Sequence, residues 1–327
     1  MIKDRMFAVP FNGSAVDGYL KLIEPYMPNI EHVYMGINTL CNSQASIIRF
    51  NSDYSADSII NYDNNCYLLL KELKGIKKRI ITINNSFYNF TDVSRKLFVE
   101  TDLSRFIYEN EPDGFILTDF KLACMLHEKF PFLELQTSCN TYMWSVREMR
   151  IWQEMAGISL FNPPREILRT PEKLKEMHEA GFKLKCLVNE ACLYGCPERH
   201  THDNEISVCN NGCSHQCNRG DLVNMLRSNF IVPRWMERLD RFVDIYKIAG
   251  RRYSNERLAL VFDAFFNCRN DINLLDIIHN ETLTGANERI RYFPVSAVPD
   301  KLLYCECKKC DVSCTKCRET VIYYMNR

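Results

Sequence analysis

Eight short runs rich in β-branched and aromatic residues recur along the chain, at residues 6–11, 31–37, 79–84, 113–118, 133–137, 158–162, 183–189 and 243–250. Helical patterns lie between most of them. Residues 142–157 carry apolar Met143, Val146, Met149 and Trp152 at a spacing of three, and residues 170–181 open on Thr170 and Pro171 and close on Gly181. Strands that alternate with helices are driven toward a parallel sheet, because each parallel connection needs a crossover. Eight is also the number that closes a (β/α)₈ barrel. The expectation is an α/β, TIM-barrel-like domain over residues 1–270. It carries a cysteine-rich insertion at 189–220, after the seventh strand, and is followed by an extension at 271–327.

If the barrel forms, its chemistry belongs at the carboxyl ends of the strands. Those ends carry Asn12, Asn84, Asp119, Gln136 with Thr137, Asn162 with Arg165 and Glu166, Asn189 with Glu190, and Arg251. Polar loops have this composition without any function, so the set counts for more than any single member.

The chain's 41 basic and 41 acidic side chains give a formal net charge of zero. A dedicated nucleic-acid binder usually shows a basic excess or stripe. The basic stretches "GRRYSNER" and "NERIRY" are short, so the balance favours a small molecule or peptide over bulk RNA. The opening "MIKDRMFAVPFNG" has no apolar run of signal-peptide length, and nothing approaches the ~20 apolar residues of a membrane span. The expectation is a cytoplasmic chain with no membrane association.

In that compartment thiols stay reduced, so sixteen cysteines point to metal or redox chemistry rather than a disulfide scaffold. Ten of them fall in two clusters. The insertion has Cys192, Cys196, Cys209, Cys213 and Cys217, with His200, His202 and His215 close by. A zinc site and a [4Fe–4S] cluster both accept such a set. The segment "CECKKCDVSCTKC" holds Cys305, Cys307, Cys310, Cys314 and Cys317. Three residues separate its two CxxC knuckles, whereas a zinc ribbon usually needs a dozen or more. The packed spacing of Cys307, Cys310, Cys314 and Cys317 therefore favours a second iron–sulfur cluster over zinc. Cys66, Cys124, Cys186 and Cys268 sit in apolar or mixed runs and are expected to behave as small hydrophobes.

The stretch "LELQTSCNTYMWSVREMRIWQEMAGISLFNPPREI" and the stretch "IVPRWMERLDRFVDIYKIAGR", with the cysteine-rich segment between them, resemble peptidase family U32, the collagenase-like proteases. The resemblance extends over residues 1–270. It implies oxygen-independent hydroxylation of RNA bases or small aromatic rings, with a [4Fe–4S] cluster on four cysteines. One branch of the family takes a ligand after the second strand, here Cys41. Another draws all four from the insertion. The ligand set expected here is Cys192, Cys196, Cys209 and Cys213, with Cys41 or Cys217 as the other choices for the fourth thiolate. On this reading Arg165 and Arg251 clamp a carboxylate, and Glu166 or Glu190 moves protons.

The sequence also departs from the family. Its peptidase signature is not reproduced around "NEACLYGCP", which keeps Glu190, and the terminal cysteine cluster is not a general family feature. A metal-dependent peptidase is the second reading, although no GxSxG or HExxH is present. A non-catalytic, metal-stabilised partner that pairs with a related subunit is the third.

Overall fold

The computed structural model describes residues 4–38, 40, 56–83, 91–190, 192–200, 222–278, 292–303 and 314–325. Eight strands form one parallel sheet: β1 (Met6–Pro10), β2 (Ile30–Met35), β3 (Lys78–Thr82), β4 (Gly114–Leu117), β5 (Glu134–Thr137), β6 (Ile158–Leu160), β7 (Lys185–Leu187) and β8 (Ile245–Lys247). Their order is β6-β5-β4-β3-β2-β1-β8-β7. The two ends of that order meet at a parallel bridge between Phe161 and Leu184. There the Phe161 N–H donates to Lys183 O at 3.0 Å, and the Lys185 N–H to Phe161 O at 2.7 Å. The sheet is thus closed, and the fold is the TIM-barrel-like one. Each of the eight expected runs overlaps its observed strand.

Local chemistry sets the helix boundaries. Helix Val146–Ala156 begins four residues later than its apolar pattern does, because Ser145 accepts from the Glu148 N–H at 3.3 Å and caps it there. Gly157, at φ +62°, ends it in the left-handed region. Helix Pro171–Glu179 starts on proline, as expected. The Thr170 hydroxyl does not cap it, however. It donates back to Glu166 O at 3.2 Å, and proline at the first helical position already removes one of the orphan donors.

The core has two parts. A large cluster lies between sheet and helices, with Trp235, Tyr19, Phe115 and Phe262 all essentially buried. A small cluster fills the barrel itself: Ala8, Tyr34, Ile80, Ile116, Leu160 and Ile245. Each comes from a different strand, and along a strand the period of two sends the next residue to the opposite face.

The inward set is not wholly apolar. His32, Gln136, Lys185 and Lys247 are also buried, from β2, β5, β7 and β8. Glu134 of β5 joins them, its Oε1 3.3 Å from His32 Nε2 and accepting from Gln136 Nε2 at 2.6 Å. Gly114 makes room on β4, since a Cβ there would lie 2.1 Å from the Glu134 carbonyl oxygen.

Candidate functional site at the barrel mouth

The carboxyl ends of β5, β6 and β7 hold a buried polar lattice. Past β5 the chain makes a tight turn, Cys139–Thr141, capped by Ser138. That turn sets Asn140 inside. Past β6, the Asn162 N–H donates to Thr137 Oγ1 at 2.8 Å and fixes the loop that carries Arg165 and Glu166. Past β7, Asn189 accepts from the Ala249 N–H at 2.7 Å and donates to Ala249 O at 3.0 Å, tying β7 to β8.

Arg165 is the hub. Its Nε donates to Glu190 Oε2 at 2.9 Å and its Nη2 to Asn140 Oδ1 at 2.8 Å. The other Glu190 oxygen accepts the Cys192 N–H at 3.2 Å. Glu166 pairs with Arg199, whose Nη2 also donates to Leu193 O. Each carboxylate has its own guanidinium, and all four side chains are nearly buried. Removing one partner costs about 3–5 kcal/mol, because it strands the other charge out of water.

This lattice holds the start of the cysteine-rich insertion. Cys192 and Cys196 are half-buried, unbridged thiols. Leu193 between them bridges Ser228 antiparallel, and the Asn229 N–H donates to Cys192 O at 2.9 Å. His200 stacks on Tyr142 with ring centroids 4.0 Å apart. Of the other expected ligands, Cys314 is half-buried and Cys317 is buried in the core. Cys41, Cys209, Cys213, Cys217, Cys305, Cys307 and Cys310, like Asn84, His202 and His215, lie outside the described residues. Among the described residues no three or more His, Cys, Asp or Glu side chains converge into a metal-sized group.

Arg251 follows β8 and reaches the loop past β2. A Cβ on Gly36, past β2, would come within 3.1 Å of its Nη1. Its charge also acts on the Tyr62 and Cys66 side chains. Arg165 is committed to Glu190 and Asn140.

Two other strand-end residues build loops. Asp119 accepts from the Leu122 N–H at 2.9 Å, capping helix Phe120–Lys129, and is held by Arg95. Asn12 accepts from Ser14 and donates to Tyr253 O. The isolated cysteines are packing or contact residues. Cys66 and Cys186 are wholly buried, and burial pushes both thiols up. Cys268 receives a hydrogen bond from Arg5 Nη1 at 2.7 Å.

Sequence reasoning did not single out the ionisable line inside the barrel. Lys185 is fully buried and donates to Gln136 Oε1. Burial, then the nearby Lys247, lowers its pKa well below the usual lysine range. Burial alone would raise the Glu134 carboxyl, but His32 and Lys78 hold it well below the usual carboxylate range. Burial likewise lowers His32. Lys247 Nζ sits 4.5 Å from the centre of the Tyr34 ring. The available signal was a charged or amide residue at an inward position of each of "ELQ", "KCL" and "IYK".

The model of peptidase family U32 matches residues 30–228, more than half of the chain. An uncharacterized protease of Methanocaldococcus jannaschii is 30% identical over 201 residues. That match takes in 57% of this chain and 58% of the relative, so the chain spans little more than half the length of the curated protein it matches. The solved structure of a U32 peptidase aligns with a TM-score of 0.52 at 10% identity, over 75% of this chain and 93% of that one. That likeness concerns the fold.

Proposed function

The chain belongs to peptidase family U32, and from that premise we propose that it is a thiolate–metal enzyme working at the barrel mouth. The observation that carries this is the attachment of Cys192 to Glu190. A thiol pair follows β7 directly, and the buried Arg165–Glu190 pair fixes its backbone. Cys192 and Cys196 fit a [4Fe–4S] cluster by donor chemistry, being soft, unbridged and half-open to the mouth. Cys209 and Cys213 are the proposed remaining ligands. Such a cluster, when bound, supplies one-electron transfer or an open iron for a substrate oxygen. The reaction class proposed is redox modification, of the oxygen-independent hydroxylation type, on a small molecule, peptide or RNA. A second centre, iron–sulfur or zinc, is proposed on Cys307, Cys310, Cys314 and Cys317.

The protein's own residues do the remaining work. Arg165 holds Glu190 aimed at the Cys192 N–H. The Glu166–Arg199 pair holds the following turn, through Leu193 O. Arg251 is the cation for an anionic substrate group, worth most as a bidentate contact to carboxylate or phosphate. Glu166 and Glu190 are the carboxylates placed to accept or return a proton once a substrate displaces a guanidinium. Among the described residues no helix is long and apolar enough to cross a membrane.

Anaerobic purification followed by iron, sulfide and electron paramagnetic resonance analysis tests the reading. Wild type is expected to hold iron and sulfide, and Cys192→Ala and Cys196→Ala to lose the signal. Protein without iron or sulfide sinks it. The printed name of the Methanocaldococcus relative favours a peptidase as the second reading. Peptide hydrolysis by zinc-loaded protein, abolished in the same variants, would put it first.

A further inference from the structure

Two cysteine-rich segments that are far apart in sequence hang on one short piece of chain, residues 226–229. Helix Leu222–Leu226 follows the insertion and packs against helix Lys316–Met325, which carries the last cysteine. Arg227 then touches both segments. Its carbonyl accepts the Tyr194 N–H at 3.0 Å, between Cys192 and Cys196. Its guanidinium Nη2 donates to Cys314 O at 2.9 Å, across 87 positions of sequence. Ser228 and Asn229 complete the join through Leu193 and the carbonyl of Cys192.

Arg227 also shows an unmet demand. Its Nε is buried and, among the described residues, has no hydrogen-bond partner. Buried donors are normally satisfied, and an orphan is a reason to look for an absent acceptor. A guanidinium between two thiol-bearing segments suits an anionic thiolate–metal assembly. Charge and hydrogen bonds next to the sulfurs tune such centres and fix their ligands.

We propose that the two cysteine-rich segments form one coupled metal-binding unit, with Arg227 the positioning residue that links them. Metal held by the terminal segment, at Cys314 and Cys317, steadies the Cys192–Cys196 turn, and the reverse holds. This rests on the thiolate–metal reading above. It adds that neither segment binds independently. Pulling on the 314–317 backbone moves Arg227, and Arg227 O is the acceptor that holds Tyr194 in place.

The test uses the full chain, purified anaerobically and reconstituted with ferrous iron and sulfide. The quantity read is the rate at which a chelator removes the resonance signal that Cys192→Ala abolishes. Arg227→Met touches no thiol, and Cys314→Ala keeps the carbonyl that Arg227 uses. Both are expected to speed loss by about ten-fold, the size of effect seen when outer partners of metal ligands are removed. Loss at the wild-type rate in both, in protein whose metal-free unfolding midpoint is unchanged, overturns the coupling. If Arg227→Met does not fold, Cys314→Ala alone decides. If wild type holds no iron or sulfide, the thiolate–iron reading has failed, and the coupling is then judged with zinc. Zinc protection of Cys192 from alkylation, lost in Cys314→Ala, supports it, and protection retained there overturns it.

Discussion

Charge is buried in two places in this barrel, along the axis and at the mouth. At the mouth the charges come in matched pairs, Arg165 with Glu190 and Arg199 with Glu166, and each guanidinium finds its carboxylate within the lattice. Along the axis the count is uneven. Glu134 faces His32 and Lys78, while Lys185 is bonded to the amide of Gln136 and feels the repulsion of Lys247 more than the attraction of Glu134. A matched pair holds its two side chains in one geometry. A buried lysine without a carboxylate bonded to it instead has its pKa lowered, because burial penalises the charged form. The mouth is therefore built to hold a geometry, and the axis carries a lysine whose charged form is disfavoured.

That difference can be broken experimentally. The largest effect is expected at the mouth. Arg165→Met should lower the free energy of unfolding by about 3–5 kcal/mol, since it leaves the Glu190 carboxylate buried without its partner. Denaturant titration measures it, and a loss below about 1 kcal/mol, the range of exposed pairs, would mean that the mouth is hydrated rather than sealed.

Gly114→Ala probes the axis by volume. Its Cβ would meet the Glu134 carbonyl at 2.1 Å, so strands β4 and β5 must part. Overpacking of this kind costs about 1–3 kcal/mol. A neutral substitution would show that the barrel is looser than its contacts.

The third test uses pH and sharpens the contrast directly. The folded pKa of Lys185 is lowered, so the unfolded chain binds the proton more tightly. Stability is therefore penalised at neutral pH, and the penalty shrinks as pH rises toward the ordinary lysine value of about 10.4. Lys185→Met should flatten that rise, removing up to about 1.4 kcal/mol per pH unit within the window. Glu134 has the opposite sign. Its lowered folded pKa stabilises at neutral pH, and that contribution is lost as pH falls below the usual carboxylate range. Unfolding midpoints of wild type and Lys185→Met between neutral pH and about pH 10 settle it. Parallel curves would mean that Lys185 is protonated in the fold.

The smallest effect belongs to neither region. Ser145→Ala removes the cap of helix Val146–Ala156 and should cost about 1 kcal/mol. It calibrates the others, and a thermal shift comparable to that of Arg165→Met would show that the mouth lattice is unexceptional.

Much of the fold was legible. All eight strand runs and the barrel follow from short periodic patterns, and the family resemblance from two longer stretches of sequence, all of them local properties of the chain. The misreadings have local causes too. Thr170 looks like a cap, but proline at the first helical position made the cap redundant, and its hydroxyl turned back to Glu166. Less of the site was legible. Arg165, Glu166 and Glu190 all follow strand ends, as the pattern of strands implied. Which guanidinium pairs with which carboxylate depends on how the loops meet around the ring, and no spacing along the chain encodes that.

By itself, then, the sequence determined the alternation that closes a barrel, the family, and the two groups of cysteines, because hydrophobic periodicity and residue chemistry act over short distances. Only the tertiary structure decided that inward-facing Lys185 and Glu134 share one axis, that Arg165 is taken by Glu190, and that Arg227 reaches Cys314. Barrel closure sets each of those neighbours, by bringing to hydrogen-bonding distance groups that the chain itself holds tens of residues apart.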